Sequence, residues 1–380
     1  MEHGGAVLLD LFIMFVCAKA LAEIFERLKQ PAVVGEILAG VLIGPFALKW
    51  VQITGVNEAI AEIGVVFLLF SVGLEIKTGD ILKVGFSASL VAVMGVVVPF
   101  ILGYLIMNIG GYTQVEAIFI GAAMVATSVG ITARVLSDLG FINTTMARVI
   151  LGAAVIDDIL GMIILAIVSS LSSGDINYLQ IAIVAVQAIA FTVFVVVMGE
   201  RVVRKMGPRV ERMQTKEPYF VLALVFCLGL SVVAAKIGIA AIIGAFLAGM
   251  VMEPFRLHQK SRGIHEFLAP FFFVVMGMQL DVRIFMRQEI VVLALIITIA
   301  AIAGKLVGCG VGAYQLGFKR ALQVGMGMVP RGEVGIIVAL VGLSLHSISN
   351  AAYAVVLFMT VVTTLLAPPF LRLLLKTGTA

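Results

Sequence analysis

Charge is what this sequence has least of. Only 13% of its 380 residues are Asp, Glu, Lys or Arg, while 62% are hydrophobic, whereas soluble domains run at about a quarter charged and about half apolar. That shortage excludes a water-soluble enzyme, and the lack of polar low-complexity tracts excludes a disordered chain. Cysteine is scarce too. Cys17, Cys227 and Cys309 lie singly inside apolar runs without CxxC spacing, which argues against a disulfide framework or a zinc site. No Walker A sequence or Gly-rich nucleotide loop occurs, so ATP hydrolysis by this chain has no support. The first apolar run, about 6–28, contains Lys19 and Glu23; it is too long and too charged for a signal-peptide core and reads as a retained helix.

What is abundant is membrane. A helix crossing the hydrocarbon layer takes ~20 apolar residues. With Gly, Pro and charge clusters as punctuation, the chain divides into thirteen spans: 6–28, 31–50, 59–75, 84–109, 115–138, 144–171, 178–203, 218–236, 238–254, 263–283, 288–316, 319–345 and 350–376. The two-residue alternation of barrel strands is absent. The expected fold class is therefore an all-α polytopic membrane protein, one unit over residues 1–380. Connections after the odd-numbered spans carry nineteen of the 26 Lys and Arg, against four (Lys49, Lys236, Arg283, Arg287) after the even-numbered ones. Basic loops mark the cytoplasmic side, which puts the N-terminus outside and the C-terminus inside. The net charge of +4 is thus a topology signal and not a nucleic-acid surface. The polar stretch 200–217 reads as a linker, and His258 and His265 as solvated residues of one cytoplasmic loop.

Three segments return in order. VVGEILAGVLIGPFAL (33–48) reappears as IIGAFLAGMVMEPFRL (242–257), FLLFSVGLEI (67–76) as FFFVVMGMQL (271–280), and GAAMVATSVGI (121–131) as GMGMVPRGEVGI (325–336), at offsets of 209, 204 and 204. Seven spans separate each helix from its copy. Because seven is odd, the copies cross the membrane in opposite directions, giving an inverted-topology repeat of about 31–171 and 238–376. Such repeats build secondary transporters with a site near the midplane.

Ionisable residues at mid-membrane cost ~3 kcal/mol on insertion scales and mark a functional path. Asp157 and Asp158 lie inside LGAAVIDDILGMIILAIV. Adjacent helical residues point about 100° apart, so one carboxylate can meet a permeating cation while the other meets a fixed positive partner. Two close acids in a low dielectric repel and lose solvation, and both effects favour the protonated form. A carboxylate choosing between a proton and a cation is the chemistry of exchange. Lys305, in ITIAAIAGKLVGCGVGAY, is too deep to snorkel and needs a carboxylate. It fits either a permanent bridge or one broken and remade with release of a proton.

Two repeat-related spans are poor continuous helices. Thr127, Ser128 and Gly130 cluster in the first; in the second Pro330 removes an N–H and Gly332 loosens the chain. Arg331 and Glu333 are two apart and would not meet on a regular helix. Unwound turns are expected, and at membrane depth they are tolerated only where buried in protein or lining a cavity. They offer carbonyls and dipole ends to an ion. Glu36, Asp157, Asp158 and Glu333 outnumber Lys305 and Arg331, a surplus that suits a hard monovalent cation or protons.

Taken in order, ATSVGITARVL, LGAAVIDDILG, Gly304-Lys305 and PRGEVG resemble the NapA-type bacterial sodium/proton antiporters of the cation:proton antiporter superfamily, along essentially the whole chain. The resemblance implies a homodimer in the lipid of a bacterial inner membrane, active in pH homeostasis. A core domain (about 84–171 plus 288–376) would move elevator-fashion against a dimerisation domain (about 1–76 plus 178–283). Asp158 would be the main cation and proton carboxylate, Asp157 the partner of Lys305, and Thr127 and Ser128 neighbours of the transported Na+ or Li+. Arg331 and Glu333, with Pro330 and Gly130, would support two broken, crossing helices. In that family the Asp-Asp pair with Lys, in place of an Asn-Asp pair with Arg, favours electrogenic exchange, two protons per sodium. No cofactor, nucleic acid or enzymatic activity is implied. K+/H+ exchange on the same scaffold is the nearest alternative. An intramembrane aspartate-dependent enzyme is a distant one, because neither DDxxD nor GxGD is present.

Overall fold

A peptide group in hydrocarbon must find its hydrogen-bond partner within its own segment, so uninterrupted apolar runs here become helices and Gly, Pro and charges end them. The computed structural model describes residues 2–376 except 29, 78, 80–82, 173–177, 211–213, 239 and 280–287. Its helices are α1 (Glu2–Arg27), α2 (Ala32–Ile43), α3 (Gly55–Gly73), α4 (Gly85–Ile109), α5 (Gln114–Ala123), α6 (Val129–Asp138), α7 (Thr145–Ser172), α8 (Tyr178–Val210), α9 (Pro218–Lys236), α10 (Ala241–Met252), α11 (His258–Met278), α12 (Gln288–Gly312), α13 (Phe318–Gly327), α14 (Glu333–Ser344) and α15 (Asn350–Lys376). Among the described residues there is no strand. Among the described residues six helices, α1, α3, α4, α9, α12 and α15, are each long and apolar enough to cross a membrane. The protein is an all-helical membrane protein.

Three boundaries differ from the sequence expectation. The second span stops at Ile43, because the following Gly44-Pro45 cannot extend it. The chain instead turns back so that the Trp50 and Val51 N–H groups donate to the Ile43 carbonyl at 3.0 and 3.1 Å. α8 continues to Val210 through much of the expected linker, since RVVRKM is rich in helix formers. The expected loop of His258 and His265 is the beginning of α11; His258 is exposed, but His265 is partly buried.

Apolar side chains gain little from leaving lipid for one another, so close backbone approach through small residues decides the packing. α2 crosses α11 where a Cβ on Gly40 would lie 2.0 Å from the Val274 carbonyl, and one on Gly277 would lie 2.0 Å from that of Ile37. α3 crosses α10 in the same way: Gly73 against the Phe246 carbonyl and Gly249 against that of Phe70, both at 2.2 Å. Gly40 and Gly249 are 209 residues apart, and Gly73 and Gly277 are 204 apart. A second seam joins α12 to α4, with Gly304, Gly308 and Gly312 spaced one turn apart against Pro99, Met94 and Val91. α4 packs on α12 and α5, α12 on α13, and α5 on α14, while α6 reaches across to pack on α3.

A methyl group cannot enter these crossings. Gly277→Ala is expected to cost about 3 kcal/mol or more through overpacking against backbone. Gly229→Ala, with nothing within 4 Å of the added carbon, should change stability by less than about 1 kcal/mol. Thermal unfolding of the purified proteins in detergent compares the two.

Candidate functional site

The site is built where two helices come apart. α5 ends at Ala123 and α6 begins at Val129; α13 ends at Gly327 and α14 begins at Glu333. The links between them meet, with the Ser128 N–H donating to the Pro330 carbonyl at 2.8 Å. Pro330 has no N–H to leave unpaired, so its ring stops the helix without adding an orphan donor. Gly332 is needed for the approach, because a Cβ there would lie 2.8 Å from the Ser128 Cβ. Two threonine hydroxyls secure the flanks: Thr132 donates to the Gly327 carbonyl at 2.6 Å and Thr364 to the Arg331 carbonyl at 2.7 Å.

Arg331 is fully buried. Its Nη1 donates to the Ala126 carbonyl at 2.9 Å and the Val125 carbonyl at 3.3 Å, and its Nη2 to the Ala301 carbonyl of α12 at 3.0 Å. The guanidinium therefore lies across the electronegative C-terminal end of α5. In the repeat alignment Thr127 stands opposite Arg331. Among the described residues no basic side chain donates to the corresponding end of α13, and the Thr127 hydroxyl is buried without a hydrogen-bond partner.

Beside the crossover, α7 carries both aspartates at mid-length. The Lys305 ammonium on α12 donates to Asp157 Oδ1 at 2.9 Å, with side chains 0% and 1% exposed. Asp157 Oδ2 has no hydrogen-bond partner among the described residues. Asp158, on the adjacent helix position, is buried as well. Gly95 of α4 makes room for this arrangement: a Cβ there would meet Cys309 Sγ at 2.5 Å and Lys305 Nζ at 3.4 Å.

The structure thus joins Ser128, Pro330 and Arg331 through their backbones and hydrogen bonds, and joins Asp157 to Lys305. Gly130 stands apart from the unwound link. It already lies in the first turn of α6 and faces Val65, Leu68 and Leu69 of α3. Glu333 opens α14, and its side chain lies outside the described residues. Glu36 is buried but paired with Lys19 of α1 at 3.4 Å. Thr132, Thr364 and Gly95 are missing from the sequence expectation. For Thr364 a signal exists, three threonines within five residues (360, 363, 364) of an apolar span; for Thr132 and Gly95 none does. No group of three or more His, Cys, Asp or Glu side chains is gathered among the described residues.

Comparison with known proteins follows from this geometry. Residues 11–377 match the family model described as sodium/hydrogen exchanger, transmembrane. The chain is 34% identical to the high-affinity Na+/H+ antiporter NhaS3 of Synechocystis, covering 97% of this chain and 89% of that protein. It is 31% identical to an Enterococcus hirae Na+/H+ antiporter, covering 96% and 97%, and 32% identical to the Na+/H+-K+ antiporter GerN of Bacillus cereus, covering 96% and 95%. Its fold is similar to that of the sodium proton antiporter MjNhaP1 of Methanocaldococcus jannaschii, with a TM-score of 0.70 at 17% identity over 100% of this chain and 98% of that one.

Removing one member of the buried ion pair leaves the other charge stranded. Lys305→Met is expected to lower stability by about 3–5 kcal/mol, and adding Asp157→Asn in the same chain should recover most of that loss. A double-mutant cycle on thermal unfolding measures the coupling.

Proposed function

The chain belongs to the transmembrane sodium/hydrogen exchanger family, and from that premise we propose how its buried residues exchange Na+ for H+. The protein is a secondary antiporter of the cation:proton type and not an enzyme. The observation that carries the residue assignment is the commitment of Lys305 to Asp157 at 2.9 Å. It makes two adjacent carboxylates unequal. In this reading Asp157 is the partner of Lys305, and Asp158, pointing about 100° away along the helix, is the main carboxylate over which cation and proton compete.

In this reading Na+ sheds water to bind Asp158, with the Thr127 and Ser128 oxygens beside it, and displaces the proton held there. Proton uptake by Asp157 breaks its bridge to Lys305, and reformation of the bridge expels that proton. Two protons then move against one Na+, and the exchange carries charge. Arg331, with Pro330, keeps the crossover in one shape throughout. Glu333 and Gly130 are supporting positions, Gly130 by giving α6 a smooth apolar face toward α3.

The wider architecture follows the same reading. Thirteen spans in an inverted repeat are supported by the paired glycine crossings at offsets of 204 and 209 and by the two interrupted helices. The core domain, about 84–171 plus 288–376, is held by the α4–α12 glycine seam. The dimerisation domain, about 1–76 plus 178–283, is held by the α2–α11 and α3–α10 crossings. With Gly130 facing valine and leucine side chains of α3, the core slides as a body to give alternating access. The protein acts as a homodimer in a bacterial inner membrane, N-terminus outside, and serves pH homeostasis.

Proteoliposomes containing the purified protein test this directly. Na+-driven proton flux should vanish in Asp158→Asn, and in the wild type it should accelerate or slow when a potential is clamped across the membrane. Flux retained by Asp158→Asn would remove that residue from its role, and flux indifferent to potential would contradict electrogenic exchange. Running Na+, Li+ and K+ in the same assay separates sodium from potassium exchange.

A further inference from the structure

The buried apolar side chains fall into two clusters. One joins α1–α3 and α8–α11 to residues such as Leu136, Leu151, Cys309 and Leu371, which lie in the halves of their helices that face the cytoplasm when the N-terminus is outside. The other, with Met107, Phe119, Ile297, Val338 and Val355, lies in the opposite halves and contains no residue of α1–α3 or α8–α11. Helix packing repeats the division. α6 packs on α3 and α2. Its repeat mate α14 packs on α5, α15 and α7, and among the described residues it has no comparable packing on α11 or α10, the mates of α3 and α2. The inner side of the boundary between the two domains is closed and the outer side is parted, which is the disposition of an outward-facing transporter.

The closed side carries charge. On α6 the Arg134 Nε donates to Asp138 at 3.0 Å, and the arginine side chain is only 11% exposed. Two further carboxylates act on its charge from across the boundary, Glu36 of α2 and Glu266 of α11. Glu36 is 1% exposed. Lys19 donates to its Oε1 at 3.4 Å, and its Oε2 is buried without a hydrogen-bond partner among the described residues. A buried carboxylate so thinly bonded needs positive charge nearby, and Arg134 supplies part of it. In the repeat alignment Glu36 corresponds to Ala245, Arg134 to Ala339 and Asp138 to Leu343. At these three positions the outer side of the boundary has no charge to match the inner one.

We propose that Glu36 and Arg134 are positioning residues for exchange, whose attraction across the domain boundary holds the cytoplasmic side shut and makes the outward-facing state the resting one. Sliding of the core withdraws Arg134 from a carboxylate that stays buried, and no matching charge pair opposes the return. This rests on the antiport reading, with its sidedness and its moving core.

Everted and right-side-out membrane vesicles containing the full chain present its two sides to Na+ in turn. An ion meets only the fraction of protein open toward it, so its apparent KM rises as that fraction falls. Glu36→Gln and Arg134→Gln should each lower the KM for Na+ about fivefold from the cytoplasmic side, the effect of one modest charge pair. From the outside the same variants should raise it, by less. The double variant should match the singles, because one interaction is lost in all three. Arg134→Lys, which keeps the charge, should stay near the wild type. If Glu36→Gln does not fold, Arg134→Gln and Arg134→Lys carry the test. Unchanged KM values overturn the proposal, as do shifts of the same sign on both sides or a reversed pattern. An effect of Arg134→Lys as large as that of Arg134→Gln overturns it too, since charge would not be the cause. No Na+-driven proton movement by the wild type in either vesicle would instead overturn the antiport reading.

Discussion

Inside hydrocarbon, a backbone group with no partner costs several kcal/mol, and two interrupted helices place a set of such groups at mid-depth. Arg331 meets that constraint. From one position it reaches two carbonyls at the end of α5 and a third on α12, while its own carbonyl is held by Thr364 of α15. Four elements are fixed through one residue. A Lys at the same place would offer a point charge without the planar fork that reaches carbonyls on two sides. The crossover and α12, which carries Lys305, are tied together through it.

Lys305 of α12 donates to Asp157 of α7 at 2.9 Å, an ion pair between two helices that is buried in the protein. Asp157 and Asp158 are both buried inside the protein. The Arg331 guanidinium lies against carbonyls of the link that follows α5, and the Thr132 hydroxyl against the last carbonyl of α13.

Much of this was legible in the sequence, for stated reasons. Paired acids and a lysine in apolar runs announce themselves, because burying them is expensive. Pro330 and Gly332, and the polar cluster at Thr127 and Ser128, mark breaks because they cannot sustain a helix. What could not be read was direction. Nothing in PRGEVG says that Arg331 turns back to carbonyls some 200 positions earlier, since a carbonyl acceptor has no sequence signature. Glu36 looked like part of the deep charge set until Lys19 of α1 was found beside it. Gly130 looked like part of the break but lies in the helix after it, where lack of a side chain serves contact with α3. The glycine crossings were visible as repeated letters, but the carbonyl each one admits was not.

The account's central claim is that cation and proton compete for the same buried carboxylates. Its most direct test is proton release on ion binding, read as acidification when Na+ is added to purified protein in weakly buffered detergent solution. The account predicts that protons are released in proportion to the Na+ bound, and that choline at equal ionic strength releases none. Calorimetric binding of Na+ with no accompanying proton release would contradict it.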